Sequence, residues 1–189
     1  PIVRWAALHS LARGIRRGAT AAITQALDDA APIVRQRAAE ALGSVPWPPA
    51  RSRLLELALA ASEPATVRAP AILALASSPH IAKPLFERLT LLLESEEEQI
   101  LLAALLAFSK HPGRLRGHRG VVPRLIEHLG GGYAEVRILS AAALGATEDR
   151  SAAEALRAML GADDARERLA AARALASIGD EESLPAIAA

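Results

Sequence analysis

The sequence contains no cysteine, which removes disulfides, thiolate metal sites and a cysteine nucleophile together. Aromatic residues make up only 3% of it, so any interior must be built from small and aliphatic side chains that let helices approach closely. No uncharged apolar run reaches the roughly 18 residues that a membrane span needs, and the start, PIVRWAALHSLARG, lacks the ordered regions of a signal peptide. The chain is therefore expected to be soluble and cytoplasmic, with no membrane span. Strand-length alternation of apolar and polar residues is missing, so no sheet is expected. Charge of one sign is missing too: the formal balance is +1, whereas a dedicated nucleic-acid binder is strongly basic.

Catalytic and cofactor signatures are likewise wanting. The five histidines (His9, His80, His111, His118 and His128) show no H-E-x-x-H or related ligand spacing, so no metal site is expected. There is no G-x-S-x-G, no P-loop and no G-x-G-x-x-G, and the run Gly130 to Tyr133 reads as a tight turn before a helix. The expectation is a non-enzyme with no catalytic residue and no cofactor.

What the sequence does have is a repeat. The segment from Ala31 to Gly43, APIVRQRAAEALG, returns along the chain with anchors at Val3, Val34, Val67, Ile100, Val136 and Glu167. One residue after each anchor stand Arg4, Arg35, Arg68, Leu101, Arg137 and Arg168; eight after stand Leu11, Leu42, Leu75, Phe108, Leu144 and Leu175. Successive anchors are 31, 33, 33, 36 and 31 residues apart. A fixed period of this size marks a stacked array in which no unit buries its apolar face alone. Seven residues before the anchors, Leu27, Ala60, Leu93, Leu129 and Leu160 give a second core column, so each unit is a pair of helices. The array occupies 1–189 as a single domain: the second helix of a partial repeat at 1–13, full repeats at about 18–43, 50–77, 80–110, 119–146 and 149–178, and the start of another at 181–189. About twelve helices are expected. The chain opens without Met inside a repeated helix and stops within another, which leads us to expect a piece of a longer protein whose uncapped ends self-associate.

Local signals place the joints. Asp28, Asp29 and Pro32 stop one helix and start the next, because carboxylates and a first-turn proline suit a helix N-terminus. Arg13 to Gly18 reads as a turn, and Ser44 to Ala50, with three prolines, as a non-helical loop. Ser95 with Glu98 and Ser151 with Glu154 match the S-x-x-E capping box. Lys110 to Gly120 is the longest connection and accounts for the 36-residue step.

The motif V-R-x-x-A-A-x-A-L-G at Val34 to Gly43, with its weaker copies, resembles the HEAT repeats, in their short, Ala-rich bacterial form related to the repeats of bilin lyases. The resemblance covers essentially the whole chain. It implies an all-α, right-handed solenoid of antiparallel helix pairs, second helices lining the concave side. It also implies that an Asp in the turn and the Arg of V-R join neighbouring repeats by hydrogen bonds. Asp29 and Arg35 keep that spacing; Ser62 stands where an Asp is expected before Arg68, and Leu101 replaces an Arg, so the polar ladder is expected to break at both. Function follows poorly from such a fold: members serve as scaffolds, bilin lyases or DNA-repair glycosylases. Trp5 and Trp47 fall outside the concave columns that a glycosylase would line with aromatics. Beyond His9 and Glu40 those columns hold little that a bilin lyase would use.

The groove should be formed by residues two, three and six steps after each anchor. In the first full repeat these are Gln36, Arg37 and Glu40; in the next three they are Ala69, Pro70 and Leu73, then Leu102, Ala103 and Leu106, then Ile138, Leu139 and Ala142. Two arrangements satisfy this change from polar to apolar: an exposed apolar site for a partner peptide or helix, or tight curvature that buries the residues between helices. The first makes Leu73, Leu102, Leu106, Ile138 and Leu139 the partner-binding residues of a protein-interaction scaffold. A second expectation concerns the edge of the array. Inter-repeat loops carry arginines, and Arg114, Arg116 and Arg119 would draw an anionic ligand, nucleic acid or an acidic protein face; a solvated loop is the plainer reading.

Overall fold

The computed structural model describes residues 4, 17–43, 48–77 and 82–183. The expected first helix apart from Arg4, the loop residues 44–47, His9, His80, Trp5, Trp47 and the final 184–189 lie outside them. Among the described residues there is no strand, and eleven α-helices carry the chain: α1 (Arg17–Gln25), α2 (Pro32–Gly43), α3 (Arg51–Leu59), α4 (Ala65–Ala76), α5 (Lys83–Thr90), α6 (Glu98–Ser109), α7 (Pro112–Leu115), α8 (Val122–Leu129), α9 (Ala134–Thr147), α10 (Ala153–Met159) and α11 (Ala165–Ile178). The chain forms two compact units, Pro1–Ala107 and Phe108–Ala189, with the boundary inside α6.

In the first unit, α1 packs on α2, and α2 and α3 pack on α4. The close α2–α4 approach follows from its small residues: Ala38, Ala39 and Ala71 are fully buried, and a Cβ added at Gly43 would sit 3.5 Å from the Ala74 Cα. In the second unit, α9 packs on α8 and α11. There the approach is tighter, since a Cβ at Gly145 would lie 2.9 Å from the Ala174 Cα. Pro70 stands inside α4; lacking an N–H, it leaves the Thr66 carbonyl without its helical donor.

The arginine column holds the repeats to one another. Arg35 donates to the backbone carbonyls of Asp29 (2.7 Å) and Ala30 (3.1 Å) in its own turn and through Nη2 to Glu63 (2.6 Å) in the next repeat. Arg137 does the same with Gly131 and Gly132 (3.0 and 2.7 Å) and with both oxygens of Glu167. Arg4 reaches Asp29 (2.6 and 3.0 Å), buried Arg68 reaches Glu97 and the Ala58 carbonyl, and Arg168 grips the Ala162 and Asp163 carbonyls, both at 2.8 Å. The expected break at Ser62 is thus corrected: Glu63, one residue on, takes the bond. The acceptor drifts through the turn, lying 25, 28, 29 and 30 residues after its arginine, and a long guanidinium side chain follows it. Glu167 occupies an anchor position otherwise apolar; it is only 5% exposed, and the Arg137 fork compensates its buried charge.

Local expectations need four further corrections. Arg17 and Gly18 lie in α1 and not in the turn expected at Arg13 to Gly18, the rest of which falls outside the described residues. Pro48–Ala50 form a 3-10 turn before α3, which needs no interior N–H from its prolines. The second capping box is displaced: Asp149 accepts from the Ser151 amide (2.9 Å) and α10 starts only at Ala153. Ser95 accepts from Glu97, two residues on (3.2 Å), not from the third amide that a capping box uses. Elsewhere Asp164 caps the start of α11 through the Arg166 amide (2.8 Å), and Asp29 accepts from the Ala31 amide (2.9 Å) in the turn just before α2.

Candidate functional site

The residues two, three and six steps after the anchors lie on the second helices, and all but Ala103 are set apart by their exposure from the core columns between them. In the first unit, α2 presents a closed polar set: Gln36 Nε2 donates to Glu40 Oε1 (2.9 Å) and Arg37 Nη1 to Glu40 Oε2 (2.7 Å). On α4, Ala69, Pro70 and Leu73 are half-buried. On α6, Leu102 is half-buried and Leu106 is 39% exposed, whereas Ala103 is buried at 3%, so Ala103 belongs to the core and not to the surface. In the second unit, Ile138 and Leu139 on α9 are half-buried and Ala142 is exposed. The same register on α11 gives Leu169, Ala170 and Arg173; Leu169 is 50% exposed and Arg173 is exposed as well. Sequence reasoning passed over Leu169, although the rule that selected Ile138 selects it too.

The arginine edge differs from its expectation. Lys110 to Gly120 is not a plain solvated connection: Leu115 in α7 is 1% exposed, α7 packs on α9, and the Gly117 amide donates to the Thr147 carbonyl (3.0 Å) with a left-handed φ of +70° that glycine adopts freely. Burying one leucine contributes about 1.5–3 kcal/mol, enough to order a short segment. Arg114 is exposed. Arg116 pairs with Glu148 (2.5 Å) and Arg119 with Asp149 (3.5 Å), so carboxylates from the next inter-repeat turn offset two of the three charges. They share a cleft with Gly117, Thr147 and Arg150. The Asp149 carboxyl is held below its ordinary value chiefly by the Ser151 amide, with Arg119 adding to it. Glu148 adopts φ +56°, an uncommon left-handed conformation for a residue with a side chain.

A second depression in this unit lies between α8 and α10, lined by Ile126, Leu129, Ala155, Ala158 and Met159 and bounded by the Arg137–Glu167 pair. Among the described residues no group of three His, Asp or Glu side chains is placed to hold a metal, and no helix is long and apolar enough to cross a membrane.

Comparison with known proteins agrees with this architecture. No curated protein matches the sequence. Among solved structures, an engineered protein is similar at TM-score 0.70 and 19% identity, covering 93% of this chain and 84% of its own. A designed armadillo repeat protein in complex with the peptide (KR)4 is similar at TM-score 0.68 and 20% identity (90% and 85% covered). The complex of CpcE and CpcF of phycocyanin lyase from Nostoc sp. is similar at 0.63 and 23% (98% and 74%). These likenesses establish an all-α repeat solenoid of the armadillo and HEAT kind. The HEAT-repeat profile matches residues 1–76 and 122–189, and the stretch it passes over contains the one repeat with Leu101 in the arginine column. The chain belongs to the HEAT-repeat family.

Proposed function

We propose that the protein is a non-catalytic scaffold that binds a peptide or helix of a partner protein on the exposed face of its second helices. Within the first unit the candidate anchors are Leu73, Leu102 and Leu106, and within the second, taken by itself, Ile138 and Leu139. One observation carries this reading: at the register where α2 shows Gln36, Arg37 and Glu40, helices α4, α6 and α9 carry apolar side chains that, apart from buried Ala103, stay half-buried or exposed, Leu106 at 39%. Apolar surface left partly in water at regular helical spacing suits the anchors of an amphipathic helix or extended peptide. The designed armadillo protein similar to this chain is itself in complex with a peptide, which supports peptide capture as the mode. The absence of nucleophile, phosphate-loop or metal-ligand spacing in the sequence supports a binding role over turnover.

The test is the double substitution Leu102→Glu with Leu106→Glu in the intact protein. We expect the helical circular-dichroism signal to persist and capture of the partner to be lost. Unchanged capture would move the site to Arg114, Arg116 and Arg119, whose attraction for acidic partners weakens as salt rises.

A further inference from the structure

The face of the second unit offers a charge as well as apolar surface, and that charge has no use in the frame. Every other arginine on α9 and α11 is engaged. Arg137 holds Glu167. Arg166 holds Asp164 (2.8 Å) and lies 4.0 Å from Glu135. Arg168 holds two carbonyls. Arg173 is exposed, and among the described residues no carboxylate pairs with it. It stands one helical turn after Leu169, which is 50% exposed, and the i, i+4 spacing puts both on one side of α11. The neighbouring α9, packed directly on α11, presents Ile138, Leu139 and exposed Ala142 in the equivalent register. The acids nearest in sequence register, Glu135 and Asp164, belong to the N-terminal ends of the two helices and are engaged by Arg166.

We infer that the second unit selects its partner by chemistry: an amphipathic helical segment whose apolar anchor sits on Leu169, Ile138 and Leu139 and whose carboxylate, one turn away, meets Arg173. This rests on the scaffold reading above and adds the partner's charge to it. A guanidinium fork with no internal acid is matched by a carboxylate in two parallel hydrogen bonds. The apolar residues beside it shield that pair from water, which strengthens it. The contrast with the first unit supports the assignment, because at the same register step Glu40 already has both oxygens occupied by Gln36 and Arg37 and has little left to offer a ligand.

The experiment is a display selection on the full chain with a library of helical peptides that carry leucine anchors at i and i+4 and are randomised elsewhere. It is repeated with Arg173→Glu, and circular dichroism confirms that this variant is folded. Enrichment of Asp or Glu one turn from the anchor, changing to Lys or Arg on the variant, is the expected result. For one enriched acidic peptide, affinity should fall about tenfold or more on Arg173→Glu. Enriched peptides with no acidic preference, or with a preference that Arg173→Glu leaves unchanged, would overturn this inference and leave the scaffold reading standing. No enrichment at all would overturn both. A chain that sediments as a dimer, and as a monomer once Leu169→Asp is introduced, would give the face to a second copy and overturn the peptide assignment.

Discussion

The α2–α4 joint of the first unit and the α9–α11 joint of the second are built to one plan and finished differently. Each is spanned by an arginine that grips its own turn and the acid of the next repeat, Arg35 to Glu63 and Arg137 to Glu167. Each brings a glycine near the C-terminal end of one helix against an alanine of the next, Gly43 on Ala74 and Gly145 on Ala174. The differences lie in three places. The second joint is tighter at its glycine. Its core column carries Ser140 where the first carries Ala38. Its open face shows Ile138, Leu139 and Leu169 where the first opens with Gln36, Arg37 and Glu40. The frame positions are constrained because both partners of a contact between repeats must change together, whereas the contacts shown at the first unit's face, Gln36 and Arg37 on Glu40, stay within one helix. Face chemistry can therefore diverge while the stack is kept, and specificity is to be sought there.

The sharpest way to break the comparison is at the glycines. At Gly145 an added methyl would fall 2.9 Å from backbone, so Gly145→Ala must push α9 and α11 apart and should cost about 1–3 kcal/mol, the usual range for overpacking. At Gly43 the contact is an ordinary 3.5 Å, and Gly43→Ala should be neutral or stabilise by up to about 1 kcal/mol through helix propensity. Urea denaturation of both variants checks this. Equal effects would mean that the two joints are packed alike.

Acid should separate the units next. In the second unit, Glu167, Asp164 and Asp180 are held below their ordinary values first by hydrogen bonds from Arg137, Arg166 and Arg157, and Asp149 by the Ser151 amide. In the first unit Asp29 is lowered, mainly by Arg4. For a carboxyl depressed on folding, the stabilising contribution is complete above the ordinary carboxylate range and is lost as pH falls through the folded value. Stability should thus be flat through neutral pH and fall below about pH 4. Amide exchange should rise first in α9 and α11. Earlier loss in α2 and α4 would show that these pairs do not govern the acid response.

A smaller effect is expected at the core column. The Ser140 hydroxyl is fully buried without a hydrogen-bond partner, and such a group costs about 1–3 kcal/mol. Ser140→Ala should therefore stabilise the protein by about 1 kcal/mol, and Ala38→Ser in the first unit should lose a similar amount. Thermal melts of the pair measure both, and a destabilising Ser140→Ala would point to an ordered water on that hydroxyl.

The repeat phase was legible because the Val, Ala and Leu columns are set by burial, and burial acts at fixed helical spacing: Val34, Ala38 and Leu42 recur as Val67, Ala71 and Leu75 and again as Val136, Ser140 and Leu144. The arginine column was legible for the same reason. Beyond Asp29 its acceptors were not, because a guanidinium reaches several positions and Asp29, Glu63, Glu97 and Glu167 share no column. The arginine edge misled for a related reason. Its charges are offset by Glu148 and Asp149, about thirty residues away in sequence, and its loop is fastened by the single residue Leu115. The apolar face columns could be read from register alone, but whether a small residue there is covered depends on the local approach of helices. Ala103 and Leu139 both stand three steps after their anchors, yet Ala103 is buried and Leu139 half-buried.

The most direct measurement of the central claim is methyl nuclear magnetic resonance of the intact protein titrated with a peptide it captures. Perturbations are expected on the face of the unit that holds the peptide, at Leu73, Leu102 and Leu106 in the first or at Ile138, Leu139 and Leu169 in the second, with the core methyls of Leu42, Leu75, Leu144 and Leu175 little changed. Shifts confined instead to Ile126, Leu129 and Met159 beside α8 and α10, with the second-helix methyls silent, would contradict it.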